Sequence, residues 1–447
     1  MPTLNWIGKE AVVDHHRRVP MRLLECDPAL SFGDPEAENL LVEGDNLEAL
    51  KALLPRYRGQ VKCIYIDPPY NTGNEGWVYN DNVNDPRIKK WLGEVVGKEA
   101  EDLCRHDKWL CMMYPRLQLL WEFLRHDGVL WLSIDDNEAH NCRALLNDVF
   151  GPTAFLAAVV WKKRSSPDAR ATVGNVHDYL FCYVKNPAAP KEAIGKMTLS
   201  EERVAAYTNP DGDPRGGWAS VDMTGMTGRA TKEQYFSIKL PSGRVIKPPP
   251  GRSWGLAEAT FIELRQDNRI WFGKNGDNVP RMKKFLSEAN GQVIPSFWDL
   301  SDVGSNDEAK KEVNEILGVA DQFDTPKPLR LLQRILEVST QKDSLVMDSF
   351  AGSGTTGHAV DLLNRKDGGS RRCILLEMEP SIASNITRER LNRALAIPQE
   401  MRERERERER ERQKARPIQA SDTVTVASVR RFWMRTATST AMFPSLI

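Results

Sequence analysis

At 447 residues the chain suits two or three domains rather than one simple core. Hydrophobic content of 40%, charged content of 28% and a mean hydropathy of -0.49 describe a soluble globular protein, with no apolar run of membrane-spanning length and no signal-peptide core in residues 1–10. The 62 basic and 62 acidic residues cancel, so net charge points to no polyanionic partner, and the seven cysteines contain no Cys-x-x-Cys pair, which argues against a structural zinc and for a reducing cytoplasm. Residues 1–37 read as an irregular arm, with His15-His16 as a solvated turn rather than a metal site. An α/β pattern then begins. Leu40-Leu41-Val42 is strand-like, Gly44-Asp45 turns, and residues 46–54 place Leu47, Leu50, Leu53 and Leu54 on one helical face.

Residues 61–66 are an apolar strand that ends in Asp67-Pro68-Pro69-Tyr70-Asn71. The prolines lack backbone donors and fix φ, so the chain must leave the sheet there as a stiff loop carrying a carboxylate, a free carbonyl and a ring. An acceptor-rich loop with a stacking ring suits a planar molecule bearing an amino group, such as a nucleic-acid base. A helix is expected over 115–126, stopped by Gly128, then strands over 129–134 and 177–184. Between 186 and 321 turn-formers gather and periodicity fades, which reads as a loop-rich mixed α/β insert. The α/β pattern resumes at Thr325, with a helix from Leu329. The strand Ser344-Leu345-Val346-Met347 leads through Asp348-Ser349-Phe350-Ala351-Gly352-Ser353-Gly354 into a helix over 355–364, with Thr355 or Thr356 as its cap. Gly352 and Gly354 permit positive φ or close approach of a ligand. No lysine follows them, which excludes a phosphate loop of the Gly-Lys-Ser/Thr kind. The next strand, Arg372-Cys373-Ile374-Leu375-Leu376-Glu377, ends in a carboxylate.

Asp-Pro-Pro-Tyr together with the Phe350-x-Gly352-x-Gly354 turn resembles the amino-methyltransferases that methylate DNA bases, in the motif order of the beta group. Tyr65 to Glu75, the run Trp109-Leu110-Cys111-Met112-Met113-Tyr114-Pro115-Arg116-Leu117, and Phe323-Asp324-Thr325-Pro326-Lys327-Pro328 are closer still to the modification subunits of type III restriction-modification systems. The resemblance covers about residues 38 to 395. It implies an α/β, doubly wound Rossmann-like methyltransferase sheet built from two sequence-distant halves. The domains are then an arm (1–37), a catalytic half (38–185), an inserted mixed α/β target recognition domain (186–321), a cofactor-binding half (322–398) and an atypical tail (399–447).

The implied cofactor is S-adenosylmethionine. The implied reaction is methyl transfer to an exocyclic amino nitrogen, N6 of adenine by family tendency, with cytosine N4 as the alternative. The absence of a Pro-Cys dipeptide removes the usual nucleophile for methylating carbon 5 of cytosine. Asp67 and the Pro68 carbonyl would accept the amino hydrogens, with Pro69 stiffening the loop and Tyr70 stacking on the flipped base. Thr325, Pro326, Asp348, Phe350, Gly352, Gly354 and Thr355 would line the cofactor. Lys327 would meet its carboxylate or be merely solvated. Glu377 would meet the ribose or be an ordinary strand end. Asp45, with Asn46 beside it, would meet the adenine or only cap a helix. Lys162-Lys163-Arg164 and Arg281, Lys283 and Lys284 are phosphate contacts or solvated faces.

The partners implied are double-stranded DNA, a second copy in a homodimer and a restriction subunit, with no metal and no membrane. Residues 402–412 alternate Arg and Glu strictly, a pattern that an AG-repeat tract encodes and that slips in replication. The run reads either as a solvated, marginal helix or as the mark of an out-of-frame ending. This form would then lack the family's carboxyl-terminal region, and a catalytically silent DNA-binding subunit stands as a further alternative.

Overall fold

The computed structural model describes residues 4–33, 37–72, 90, 93–96, 104–167 and 169–395, and the backbone of Val424–Ser428. Gly73, Asn74 and Glu75 of the quoted motif lie outside the described residues, as do the Arg-Glu run and the rest of the tail. The chain divides into two compact units, residues 196–294 and the remainder.

The larger unit is built on a ten-stranded sheet. Its strands in chain order are β1 (Glu25–Cys26), β2 (Asn39–Glu43), β3 (Val61–Ile66), β4 (Leu124–Ile134), β5 (Phe155–Lys162), β6 (His177–Val184), β7 (Phe297–Trp298), β8 (Leu345–Asp348), β9 (Arg372–Glu377) and β10 (Val424–Ser428). Their spatial order is β1-β10-β2-β9-β8-β3-β4-β6-β5-β7. The run from β10 through β4 is parallel, and β6 lies antiparallel to both β4 and β5. All six residues of β3 and all four of β8 are buried, as expected of strands covered on both faces. The consequential pairing is β8 beside β3, Met347 opposite Ile64, which joins the two sequence-distant halves in one sheet.

The helix Asn46–Tyr57 follows β2 and buries Leu47, Leu50, Leu53 and Leu54 as its spacing predicts. Asp45 caps it, accepting from the amides of Leu47 and Glu48 at 3.0 Å each, and Gly59 ends it at φ 66°. The helix before β4 begins earlier than expected, spanning Arg105–Phe123 with Pro115 in its interior. Cys104 and Asp107 form its capping box, and Trp109, Leu110, Cys111 and Met113 are buried. An interior proline costs roughly 3 kcal/mol, whereas each large apolar side chain buried returns about 1.5–3 kcal/mol, so burial decides the register. The arm is also less solvated than its sequence implied. Trp6, Val12 and Val19 join the main core, and His16 is buried in the short helix His15–Arg18.

The smaller unit is narrower than the 186–321 insert read from sequence. Residues 186–195 and 295–321, including β7 and the helix Asn306–Leu317, belong to the larger unit. It holds the three-stranded sheet Ile270–Trp271, Arg281–Phe285 and Trp218–Asp222, with Trp254, Phe261 and Phe272 in its core. No helix among the described residues is long and apolar enough to cross a membrane.

Asp45→Ala is expected to lower stability by about 1 kcal/mol in urea unfolding followed by circular dichroism, and Asp45→Ser to restore most of it. Equal midpoints for all three proteins would remove the capping role.

Candidate active site

Because β3 and β8 are parallel neighbours, their carboxyl ends open on the same edge of the sheet. The chain leaving β3 returns on β4, whereas the helix after β8, Thr355–Asp367, leads to β9 on the other side. This is the switch point at which open α/β sheets bind ligands. A cavity there encloses about 280 Å³ including its open mouth, and its walls include Asp67, Thr325, Pro326, Lys327, Asp348, Phe350, Gly352 and Thr355. The two motifs therefore share one chamber.

Asp67 is one of its walls. Its Oδ2 accepts from the Lys327 ammonium at 2.5 Å, and its Oδ1 is buried with no hydrogen-bond partner. Burial raises the Asp67 carboxyl above its ordinary range, opposed by the Lys327 charge. The loop is held from three sides. Trp109 Nε1 donates to the Pro69 carbonyl at 2.6 Å. The Tyr70 hydroxyl faces Asp178 Oδ2 at 3.4 Å, and Asp178 in turn accepts from Lys163 at 2.6 Å. Asn71, at φ 56°, donates to the Arg105 carbonyl at 3.1 Å and to the fully buried Glu138. With Pro68 and Pro69 fixing φ, these contacts leave the carboxylate and the ring little freedom.

The glycine turn is built differently from its sequence expectation. Gly354, at φ 77°, is itself the helix N-cap, so neither threonine caps. A Cβ on Gly354 would lie 3.1 Å from Thr387 Cγ2, which leaves that position to glycine. Thr356 Oγ1 instead donates to Asp348 Oδ2 at 2.5 Å, and Thr355 Oγ1 accepts from Arg390 at 2.8 Å. Glu377 is 3% exposed and lies outside the residues that line the cavity. Its oxygens accept from the amides of Gly352 at 3.0 Å and Glu379 at 2.9 Å, because a turn with free amides needs an acceptor behind it. Asn46 donates to the Ser349 carbonyl, tying the β2 end to the turn, while Asp45 serves as the helix cap described above. Asn46 Oδ1 and Ser349 Oγ are buried without partners, so polar capacity is left over around the turn.

The basic runs divide. Lys162 pairs with Asp299 at 3.5 Å, Lys163 is committed to Asp178, and Arg164 is exposed. In the smaller unit Arg281 and Lys284 are exposed, but Lys283 is 1% exposed and paired with Asp211 and Asp213. Lys283 is therefore an internal ion pair and not a phosphate contact. No group of His, Cys, Asp or Glu suited to a metal occurs among the described residues.

Residues 61–388 match a family model described as DNA methylase (N6_N4_Mtase). The chain belongs to the DNA methylase family. It is 35% identical over 389 residues to the type III restriction-modification enzyme StyLTI Mod subunit of Salmonella typhimurium, covering 80% of this chain and 57% of that protein. It is 31% identical over 421 residues to the EcoPI Mod subunit of Escherichia phage P1, covering 85% and 64% respectively. The chain thus spans less than two thirds of the length of those relatives. Among solved structures, PvuII DNA methyltransferase (cytosine-N4-specific) is 13% identical with a TM-score of 0.39, covering 80% of this chain and 91% of that one.

Asp178 and Glu138 hold the Asp67-to-Asn71 loop and carry no sequence motif, whereas Trp109 lies in a quoted motif that gave it no such part. Glu138 sits in the turn before the helix Ala139–Phe150, and Asp178, a buried acid in an otherwise apolar strand, is itself a signal.

Burial raises Asp348 to about 7, against the hydrogen bonds from Thr356 and the Phe350 amide. The folded state therefore keeps a proton that the unfolded chain gives up near 3.8, so this group's contribution to stability is lost as pH rises to about 7. Asp348→Asn is expected to gain a few kcal/mol relative to the parent between about pH 4 and 7, and to show no further gain above that window. A pH-independent difference in urea midpoints would contradict the assignment.

Proposed function

We propose that the chain is an S-adenosylmethionine-dependent DNA amino-methyltransferase that modifies N6 of adenine in duplex DNA, as the modification subunit of a type III restriction-modification system. The observation that carries the proposal is the shared cavity. The unpartnered Asp67 Oδ1 and the Phe350-to-Gly354 turn open onto the same space. The residues present fit the cofactor. Among the described residues the walls offer one cation for its carboxylate, acceptors for its amino and hydroxyl groups, and Gly352, whose positive φ and missing side chain allow close approach. S-adenosylmethionine, when bound, supplies the electrophilic methyl group.

The chain's own part is to hold the target. An exocyclic amino nitrogen is a poor nucleophile because its lone pair is delocalised into the ring. Asp67 and the Pro68 carbonyl accept its two hydrogens, which favours a pyramidal nitrogen and stabilises the positive charge that develops there. Extruding the base costs a few kcal/mol, and stacking on Tyr70 returns roughly 1–3 kcal/mol. The Asp178 and Lys163 contacts keep that ring in place. Asp rather than Ser at the head of the motif favours adenine. Relatives named as Mod subunits support duplex DNA and a restriction subunit as partners, and the resemblance adds a second copy of the chain. The smaller unit takes the part of target reader, with Arg281 and Lys284 left as phosphate contacts, and Arg164 likewise on the larger unit.

Nucleoside mass spectrometry of DNA from a host expressing the chain is expected to show N6-methyladenine. Asp67→Asn should lose at least about 100-fold in methyl transfer while S-adenosylhomocysteine still binds. Methylation at cytosine N4 would overturn the base assignment, and an active Asp67→Asn would overturn the mechanism.

A further inference from the structure

We infer that Lys327 is a two-position residue that makes Asp67 available only when a carboxylate-bearing ligand is seated against the glycine turn. In the structure its ammonium is spent on Asp67, at 2.5 Å from Oδ2, with both side chains largely buried. It also lies 4.9 Å from the centre of the Tyr70 ring, on the ground where an extruded base would stack. That placement conflicts with the proposed chemistry on two counts. It occupies one oxygen of the acceptor, and it sets a positive charge beside a nitrogen that must itself become positive. The ammonium therefore has to leave before the amine is alkylated.

The same cavity supplies the destination. Lys327 is the sole cation among the described residues that line it, so an anionic group bound there has no other charged partner in the wall. The backbone need not move. Pro326 and Pro328 flank the residue, and its carbonyl accepts from Thr355 Oγ1 at 3.2 Å, which anchors it to the first residue of the helix that follows the glycine turn. Only the flexible four-carbon stem has to swing. Ligand binding then withdraws the counter-ion from Asp67 and clears the face of Tyr70 in one movement, so that the target base is gripped after the methyl donor is in place. Lys327 is a positioning residue in this account. The inference rests on the function proposed above.

The test is a double-mutant cycle read by calorimetric ligand binding to the full chain, without DNA. The probes are S-adenosylhomocysteine, which carries the carboxylate, and 5′-deoxy-5′-methylthioadenosine, which lacks it. Asp67→Asn frees Lys327 and should tighten S-adenosylhomocysteine about fivefold or more while leaving methylthioadenosine unchanged. In a Lys327→Met background the same Asp67 change should have no effect, whereas a Lys327→Arg background should keep it. Thermal melts identify any variant that fails to fold, and Lys327→Gln, uncharged and of similar reach, then takes the place of Lys327→Met. An equal gain in the parent and Lys327→Met backgrounds would mean that Asp67 simply repels the ligand, which overturns the inference. Absence of binding of either probe to the parent chain would instead end the functional proposal on which it rests.

Discussion

The pairing of Leu345–Asp348 with Val61–Ile66 is the constraint on which the site depends. Parallel neighbours present their carboxyl ends on one edge, and here the two ends carry different chemistry. One delivers a carboxylate on a proline-stiffened loop. The other delivers a glycine turn whose Gly352 amide is braced by Glu377. Neither loop has another route to its partner, because the segments are far apart in the chain. Val61, Ile64 and Ile66 of one strand and Leu345 and Met347 of the other join the main core, which holds that edge in place.

Charge in the site follows from burial. Asp178 and Asp348 are buried and Asp67 is largely so, and each is compensated differently. Asp178 has Lys163 and a tyrosine hydroxyl, which suits a support. Asp348 has only neutral donors, Thr356 and a backbone amide, and burial pushes it up to about 7. Asp67 has a lysine on one oxygen and nothing on the other. A buried acceptor left half satisfied is costly in a structural role, and it is the state expected of a group that awaits a ligand's hydrogens.

Much of this was legible in the amino-acid sequence, for identifiable reasons. The strands at 61–66, 177–184 and 372–377 have the bounds that their apolar runs implied. The Gly352 and Gly354 turn sits where a strand meets a helix, and both glycines take positive φ. What escaped was set by tertiary contact. Pro115 is a start signal locally, yet it lies within a helix because the residues before it are needed in the core. Lys283 looks like part of a basic run, yet its strand turns it onto two aspartates. Glu377 ends its strand as expected, but it accepts from the Gly352 amide of the neighbouring turn. Lys327 was placed beside the cofactor cavity, and its bond to Asp67 could not be read from a separation of 260 residues.

The most direct measurement is a crystal structure of the chain with S-adenosylhomocysteine and a duplex bearing its target site. The account predicts an extruded adenine stacked on Tyr70, its amino nitrogen about 2.6–3.2 Å from Asp67 Oδ1 and turned towards the ligand sulfur beside Gly352. A target base bound outside this cavity, or a ligand seated away from the Gly352 turn, would contradict it.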